Sequence, residues 1–518
     1  MRANRASIAI ATIVAGILLL TAAHAQDRVV RLADGSQGAG QLDPHLSTKS
    51  QDVILFGMIF NGLVRFKPGS INPADIEPDL AASWESSPDG RVWTFHLRRG
   101  TQFHHGHGEM TADDVVYSLK RAADPKRSAV SSDYREFKTV EALDPYTVRI
   151  TLEKPVPSLL GLVANYQGGY VISRKAAVKL GENFKLSPVG TGPFAFAEYK
   201  TDQYVRLVAN KDYFRGRPAI DAIVMGYIPS GASRELAFKK GEIDAFLGRR
   251  EGRWVSRITQ TPRLEVDVFG PGELRTLHFN MTVKPLDDIR VRQAIAHAIN
   301  RDELRALFGK DVTSTAISPV PNDYLGQTND VPTYPRDLAK AKELLAQAGY
   351  PNGLKLSAII SNNEALLRPM QVIQEQLRRV GITLDLDVVE HAAFHAQIRK
   401  DLSPLVLYGA ARFPVADAYL TQFYHSASIV GTPTAVTNFS HCKVADAEID
   451  AARSETDPVR QQQLWAAAQR KIMEELCAIP LFEQLQVWGR RDTVHYGFLL
   501  KGAMSLGPLF TEASTIAE

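Results

Sequence analysis

The chain has 518 residues, 45% of them hydrophobic and 23% charged, which is ordinary globular usage and excludes a disordered or fibrous protein. At roughly 150 residues per domain, the length allows about three domains and a large buried core. The formal charge is +3, or +1 once Arg2 and Arg5 of the leader are set aside. Neither nucleic acid nor an anionic membrane is therefore indicated as the main partner, and two cysteines exclude a disulfide-built scaffold.

Residues 1–25 combine a basic start (Arg2, Arg5), an apolar run from Ile8 to Leu20 and a small-x-small site at Ala23-His24-Ala25. This predicts a cleaved secretory signal peptide. The apolar run is shorter than the roughly 20 residues of a membrane span, and no cysteine follows it for lipid attachment. The mature chain is expected to be soluble outside the cytoplasm, a Gram-negative periplasm fitting best.

Strand and helix signals then alternate, as in mixed α/β proteins. Trp93, Phe95 and Leu97 alternate with Thr94 and His96, which predicts a half-buried strand, and Tyr146 to Leu152 and Val205 to Ala209 repeat the pattern. Thr111 with Asp113 and Asp114 predicts a capped helix start carrying Val115, Leu119 and Ala122 on one face. Asp287 or Asp288 opens a second helix, with Val291, Ala294, Ile295, Ala298 and Ile299 as its stripe. A third runs from Asp337 to Ala348 and is stopped by Gly349 and Pro351. A fourth carries Met370, Ile373, Leu377 and Val380 and closes at Gly381. These stripes read as core packing. No internal repeat or low-complexity linker is visible, so composition alone marks no domain boundary.

Catalytic signatures are sparse. There is no G-x-S-x-G elbow, phosphate loop or H-E-x-x-H. Ser440 and Lys443 form an S-x-x-K match without a K-T-G partner. His104, His105, His107 and Glu109 have metal-ligand chemistry, but Gly106 and Gly108 make the segment a turn, and it reads as a solvated loop. Cys442 and Cys477 either pair in an oxidising compartment or stay as buried thiols; spacing does not decide.

Many short segments, each weak alone, form a specific series. They are Leu42-Asp43-Pro44-His45, Asn61-Gly62-Leu63, Pro78-Asp79-Leu80-Ala81-Ala82-Ser83-Trp84-Glu85, Ser87-Pro88-Asp89-Gly90, Trp93-Thr94-Phe95, Phe103-His104 and Thr111-Ala112-Asp113-Asp114-Val115. Pro188-Val189-Gly190-Thr191-Gly192-Pro193-Phe194 is the most specific. Asn210-Lys211-Asp212-Tyr213-Phe214-Arg215-Gly216, Gly241-Glu242-Ile243-Asp244, Phe279-Asn280, Arg290-Val291-Arg292-Gln293-Ala294 and Ala339-Lys340-Ala341-Lys342 follow in order. In this the chain resembles the family 5 extracellular solute-binding proteins of dipeptide, oligopeptide and nickel ABC transporters.

The resemblance implies an α/β, two-lobed periplasmic binding protein fold with mixed sheets, three nominal domains and a hinge. Domain I would comprise residues 26–75, 190–282 and 490–518, domain II the insertion 76–189, and domain III residues 283–489. Ligand would lie between domains I and III. Thr191, between Gly190 and Gly192, reads as a tight strand connection, the alternative being a hinge crossing. Trp84 and Trp93 fall in the insertion and read as core.

The dipeptide binders carry a segment like Gly-Trp-x-x-Asp-x-x-Asp-Pro-Asp. Here it reads Leu407-Tyr408-Gly409-Ala410-Ala411-Arg412-Phe413-Pro414-Val415-Ala416-Asp417. Tyr408 matches the aromatic, and Ala411 stands where the first acid is expected. Asp417 substitutes only in a shifted register, and Arg412 adds positive charge. Arg368, placed just before the Met370 helix, corresponds to a carboxylate-binding arginine of some dipeptide binders, and His45 lies in the segment near the family's cleft. Tyr408, Arg412, Asp417, Arg368 and His45 are thus the candidate ligand contacts, with no catalytic residue, metal or cofactor.

The expectation is a monomeric, non-enzymatic component of an ABC importer that captures a peptide or related solute and delivers it to a membrane permease. A nickel chelate or opine-like anionic solute is the alternative within the class. A secreted hydrolase and a chaperone-like holder are the rivals outside it.

Overall fold

The computed structural model describes residues 28–47, 49–164, 166–431 and 437–517; the signal-peptide reading of residues 1–25 lies outside them. Among the described residues, the largest sheet has nine strands. In spatial order they are Leu405–Ala410, Leu264–Phe279, Ala478–Arg491, Ala245–Leu247, Val29–Asp34, Ala222–Tyr227, Tyr204–Ala209 and Phe194–Lys200, with Thr313–Thr315 paired to Ala478–Arg491. Val29–Asp34 is parallel to both its neighbours and the other pairs are antiparallel, so the sheet is mixed. A four-stranded antiparallel sheet (Ala81–Ser86, Val92–Leu97, Thr147–Leu152, Phe137–Asp144) and a parallel pair (Leu354–Ser361, Ile382–Val389) stand apart from it.

Two apolar clusters divide the buried interior. One contains Val30, Phe56, Phe60, Val148, Ile150, Tyr170 and Ile223; the other contains Val291, Ile295, Leu345, Ile373, Phe423 and Trp465. The strands Leu264–Phe279 and Ala478–Arg491 serve both. Phe269 and Trp488 enter the first cluster, Leu277 and Ile479 the second. Their pairing slips between Phe269 and Glu273, and an irregularity of this kind bends a strand pair locally. These two paired strands run from one apolar cluster into the other and so connect the two lobes.

Local chemistry explains the elements. In Val92–Leu97 and Thr147–Leu152, Phe95, Leu97, Val148, Ile150 and Leu152 are buried, while His96 and Arg149 are exposed. Trp84 and Trp93 are half-buried and stack on either side of Phe95. Asp114 reaches back to the Thr111 backbone N–H at 3.1 Å. Asp288 and Asp337 cap Ile289–Ala298 and Leu338–Gln347 by accepting from Arg290 and Lys340 N–H groups.

The fourth helix begins earlier than its apolar stripe indicates. It spans Glu364–Arg378, with Asn363 accepting from the Ala365 N–H at 2.9 Å. Arg368 is therefore inside the helix rather than before it. Pro369 is buried within the helix, where it removes one backbone hydrogen bond.

Gly190 and Gly192 answer to a close approach. A Cβ on either would come within 2.1 or 2.5 Å of the Ile59 or Met58 carbonyl oxygen. Thr191 between them is buried and donates to Asn61 Oδ1 at 3.0 Å. Cys442 and Cys477 form a disulfide with Cα atoms 5.9 Å apart. No helix among the described residues is long and apolar enough to cross a membrane.

Candidate functional site

One wall of the site begins with the strand Leu405–Ala410, where Tyr408 pairs in register with Thr276. Tyr408 is half-buried, with its ring centroid 5.1 Å from Phe439, 5.9 Å from His395 and 6.0 Å from Phe423. The chain then turns through Arg412 and Phe413 into the helix Ala416–Tyr424. That turn is pinned by Tyr324, whose hydroxyl donates to the Arg412 carbonyl at 2.7 Å and accepts from the Arg412 N–H at 3.0 Å.

The Arg412 guanidinium is held in place by Gln422 through Nε, by the Ala411 carbonyl through Nη1 at 2.9 Å and by the face of Phe423 at 5.2 Å. Burial works against its charge, but Tyr408, Tyr166, Tyr419 and Asp133 outweigh it, and its pKa is raised. It therefore stays protonated. Among the described residues, no carboxylate is in ion-pair contact with it.

The facing wall comes from the other lobe, from residues within 76–189 rather than from the segments expected to form domain I. Asp133 sits in the single turn Ser131–Tyr134, and the Tyr134 hydroxyl donates to the Leu162 carbonyl at 2.7 Å. Between the walls is a cavity of about 80 Å³, lined by Asp133, Gly161 and Tyr166 on one side and Arg412, Phe413 and Gln422 on the other. The lobes touch where Phe413 lies over Gly161. Small-molecule sites occupy roughly 300–1,000 Å³, so the cavity between the walls is smaller than such a site in this arrangement of the lobes. Burial raises the Asp133 pKa, with Arg412 and Arg135 opposing.

The other candidates lie differently. Asp417 is buried in the lining of the cavity together with Arg453; its Oδ1 is 3.2 Å from Arg453 Nε, so the two charges are ionic neighbours although these two atoms make no hydrogen bond. Burial raises its pKa, against the pull of Arg453, Arg135 and His425. Arg368 lines a separate surface hollow, 3.9 Å from Glu251 and 5.8 Å from the Phe308 ring centroid. His45 is wholly buried. Its Nδ1 lies 2.9 Å from Arg121 Nη1 and its Nε2 lies 3.0 Å from the Tyr170 carbonyl, which fixes a neutral ring with the proton on Nε2. Burial lowers its pKa to about 4. Of the five candidates, Arg412 and Asp417 line the cavity, while Tyr408 stands behind them against the Phe423 ring that Arg412 also covers; Asp133 and Tyr166 join the lining without any local sequence signal.

The segments with catalytic or metal chemistry have structural partners. His104 is buried rather than solvated, with Nε2 2.9 Å from the Gly192 carbonyl. His105 meets the Phe196 carbonyl at 2.8 Å, and Glu109 accepts from the Gly100 N–H and the Tyr146 hydroxyl. The rest of the segment is a surface turn as its glycines indicate, with His105, Gly106, Gly108 and Glu109 exposed and His107 half-buried; His104 is the one of its four candidate ligands that is buried, against the segment around Gly192. Ser440 faces His278 at 3.2 Å with both buried, while Lys443 is exposed. Among the described residues no group of three His, Cys, Asp or Glu side chains is placed to hold a metal ion.

Charges also gather on the strands that join the lobes. Arg275 donates to Glu273 at 2.8 Å and to Gln484 at 2.9 Å. Despite burial, Arg250 and Arg275 bring the Glu273 pKa down to about 2. Glu483 accepts from the Asn322 N–H at 2.6 Å and from the Ser314 hydroxyl at 3.3 Å, and burial pushes its pKa up to about 7.

Residues 75–430 match the family model described as bacterial extracellular solute-binding proteins, family 5, middle. A di/tripeptide-binding protein 2 of Pseudomonas aeruginosa is 31% identical, over 84% of this chain and 86% of its own length. The solved structure of the binding protein MoaA of A. tumefaciens R10 in complex with mannopinic acid is 48% identical, with a TM-score of 0.86 over 95% of this chain and 100% of that one. The periplasmic binding protein DppA of Helicobacter pylori, in complex with the peptide STSA, is 28% identical, with a TM-score of 0.81 over 95% of this chain and 98% of that one.

Proposed function

Because the chain belongs to the family 5 extracellular solute-binding proteins, we propose that it is the capture component of an ABC importer whose solute is a small carboxylate of the opine class. The observation that carries this reading is Arg412, a protonated guanidinium on the wall of the interlobe cavity with no acidic partner. Gln422, the Ala411 carbonyl and Phe423 hold this ion without neutralising it, and a solute carboxylate supplies the missing charge through charge-assisted hydrogen bonds. Ala411 in the position of the expected acid removes the usual partner for a peptide ammonium. The similarity to a structure holding mannopinic acid points the same way.

In this reading the strands Leu264–Phe279 and Ala478–Arg491 form the hinge. Residues 26–75, 190–282 and 490–518 make domain I, 76–189 domain II and 283–489 domain III. The leader is cleaved, and the protein acts as a monomer that passes its closed form to a permease without chemical change to the solute. A bound solute favours closure only by its extra affinity for the closed form. Tyr408 offers an aromatic face beside the carboxylate, and Asp417 supports the wall through Arg453.

Titration calorimetry of the purified protein with mannopinic acid and with dipeptides, followed by mass spectrometry of the released solute, tests the proposal. The expected outcome is tighter binding of the opine, its recovery intact, and loss of binding in Arg412→Met. Tighter binding of dipeptides, or a cleaved product, sinks it.

A further inference from the structure

Two opposite charges face each other across the interlobe cavity without pairing. Arg412 comes from one lobe and Asp133 from the other, and each lines the cavity. The influences on Asp133 are burial and the fields of Arg412 and Arg135, with no hydrogen bond among them. Three further charges line the same cavity: Asp417 Oδ1 lies 3.2 Å from Arg453 Nε without a hydrogen bond between them, and Arg135 lies 3.9 Å from Glu136. A partly buried carboxylate left without a donor is unfavourable, and its natural complement is a cation supplied from outside the chain.

We propose that Asp133 is a specificity-determining residue that binds a protonated amine of the solute, so that the ligand is a zwitterion spanning the cleft, carboxylate to Arg412 and ammonium or alkylated amine to Asp133. The proposal rests on the reading of Arg412 as the carboxylate anchor. Its physical content is a division of labour. A solute bearing only a carboxylate is held by one lobe and gains little from closure. A zwitterion gains contact with Asp133 only when the lobes come together, and that differential affinity drives closure. It also separates this site from one in which both charged anchors stand on the same lobe.

The test uses the full mature protein and four probes: mannopinic acid, the dipeptide Met-Leu, and the N-acetyl derivative of each, which keeps the carboxylate and loses the cation. Wild-type protein is expected to bind the amine form of its preferred solute at least 30-fold more tightly than the acetylated form. Asp133→Asn, close in shape and without charge, is expected to erase that preference while leaving affinity for the acetylated form and the melting temperature unchanged. A variant that still discriminates as well as wild type overturns the proposal, and so does a wild type that binds both forms alike or none of the four. Preference for Met-Leu over mannopinic acid would defeat the opine reading and leave the Asp133 test intact. An Arg412→Met protein that keeps its affinity while Asp133→Asn loses the preference would defeat only the carboxylate anchor.

Discussion

The disulfide between Cys442 and Cys477 closes a loop of 35 residues in sequence separation, and both residues are fully buried. The loop contains the helices Asp446–Ser454 and Pro458–Glu474, and the bridge ties it to the start of the strand Ala478–Arg491. Replacing both cysteines by alanine restores the freedom of that loop in the unfolded chain. The loop-closure relation gives about 13 cal/mol/K for this length, or about 3.8 kcal/mol at 25 °C. For a cooperative unit of roughly 200 residues, each kcal/mol moves the midpoint by about 2–4 °C, so a drop of roughly 8–15 °C is expected in a calorimetric melt. Just before Cys442 the chain carries Phe439, which packs 5.1 Å from Tyr408. Asn438 separately holds that turn by bonding both the carbonyl and the N–H of Cys442. Solute affinity is therefore expected to change less than threefold even as stability falls. A midpoint within about 3 °C of wild type would refute the argument, because the bridge would then constrain nothing that the fold does not already constrain.

Three further outcomes follow from contacts already described. In Gly161→Ala the new methyl would lie 2.1 Å from Phe413 Cε2, an overlap of the kind that costs about 1–3 kcal/mol. It falls on the joined lobes alone, so X-ray scattering of the unliganded variant should show a larger radius of gyration, and a superimposable profile would contradict this. His45 and His104, held near pKa 4, and His278, held near 3 by burial, stay neutral in the fold but take up protons when unfolded. Their contribution is complete above pH 6.5 and is lost as pH falls toward 4, at about 2 kcal/mol each by pH 5; urea midpoints at pH 7 and pH 5 measure it, and equal midpoints exclude it. Glu483 acts in the opposite sense. Its pKa is raised from 4.5 to about 7, so its stabilising contribution is full below pH 4.5 and gone once pH has risen through 7. Glu483→Gln should therefore be more stable than wild type by about 3 kcal/mol at pH 8 and equal to it near pH 4, and a constant difference across that range would rule the cause out.

The parts of the fold that sequence reading captures are those decided within a turn or a strand. Asp288 and Asp337 cap the helices they open because capping needs only a carboxylate and the next N–H groups. The alternation around Phe95 and Ile150 is sufficient to predict two strands, which the fold then pairs in one sheet. The failures share a different cause. His104 looks solvated beside two glycines and is buried because the segment around Gly192, far along the chain, folds over it. Arg368 looks like a residue before a helix because the apolar stripe becomes regular only from Met370, whereas the Asn363 cap starts the helix earlier at Glu364. The spacing of Cys442 and Cys477 is silent on pairing, since a bridge depends on how two elements approach.

The site exposes the same limit more sharply. Arg412 and Asp417 lie in one short segment and carry comparable local signals. Among the described residues, the fold sets Asp417 3.2 Å from Arg453 and leaves Arg412 without a carboxylate in ion-pair contact. Only the unpaired member of such a set is available to a solute, and pairing is a property of the whole tertiary arrangement. Asp133 makes the point from the other lobe. In the sequence Ser131-Ser132-Asp133-Tyr134 it is an ordinary turn residue, and its significance arises when the lobes bring it opposite a guanidinium it does not reach. The charges that define specificity in a two-lobed binder are those that folding leaves without a partner, and they are found by accounting for every ion pair around the cleft.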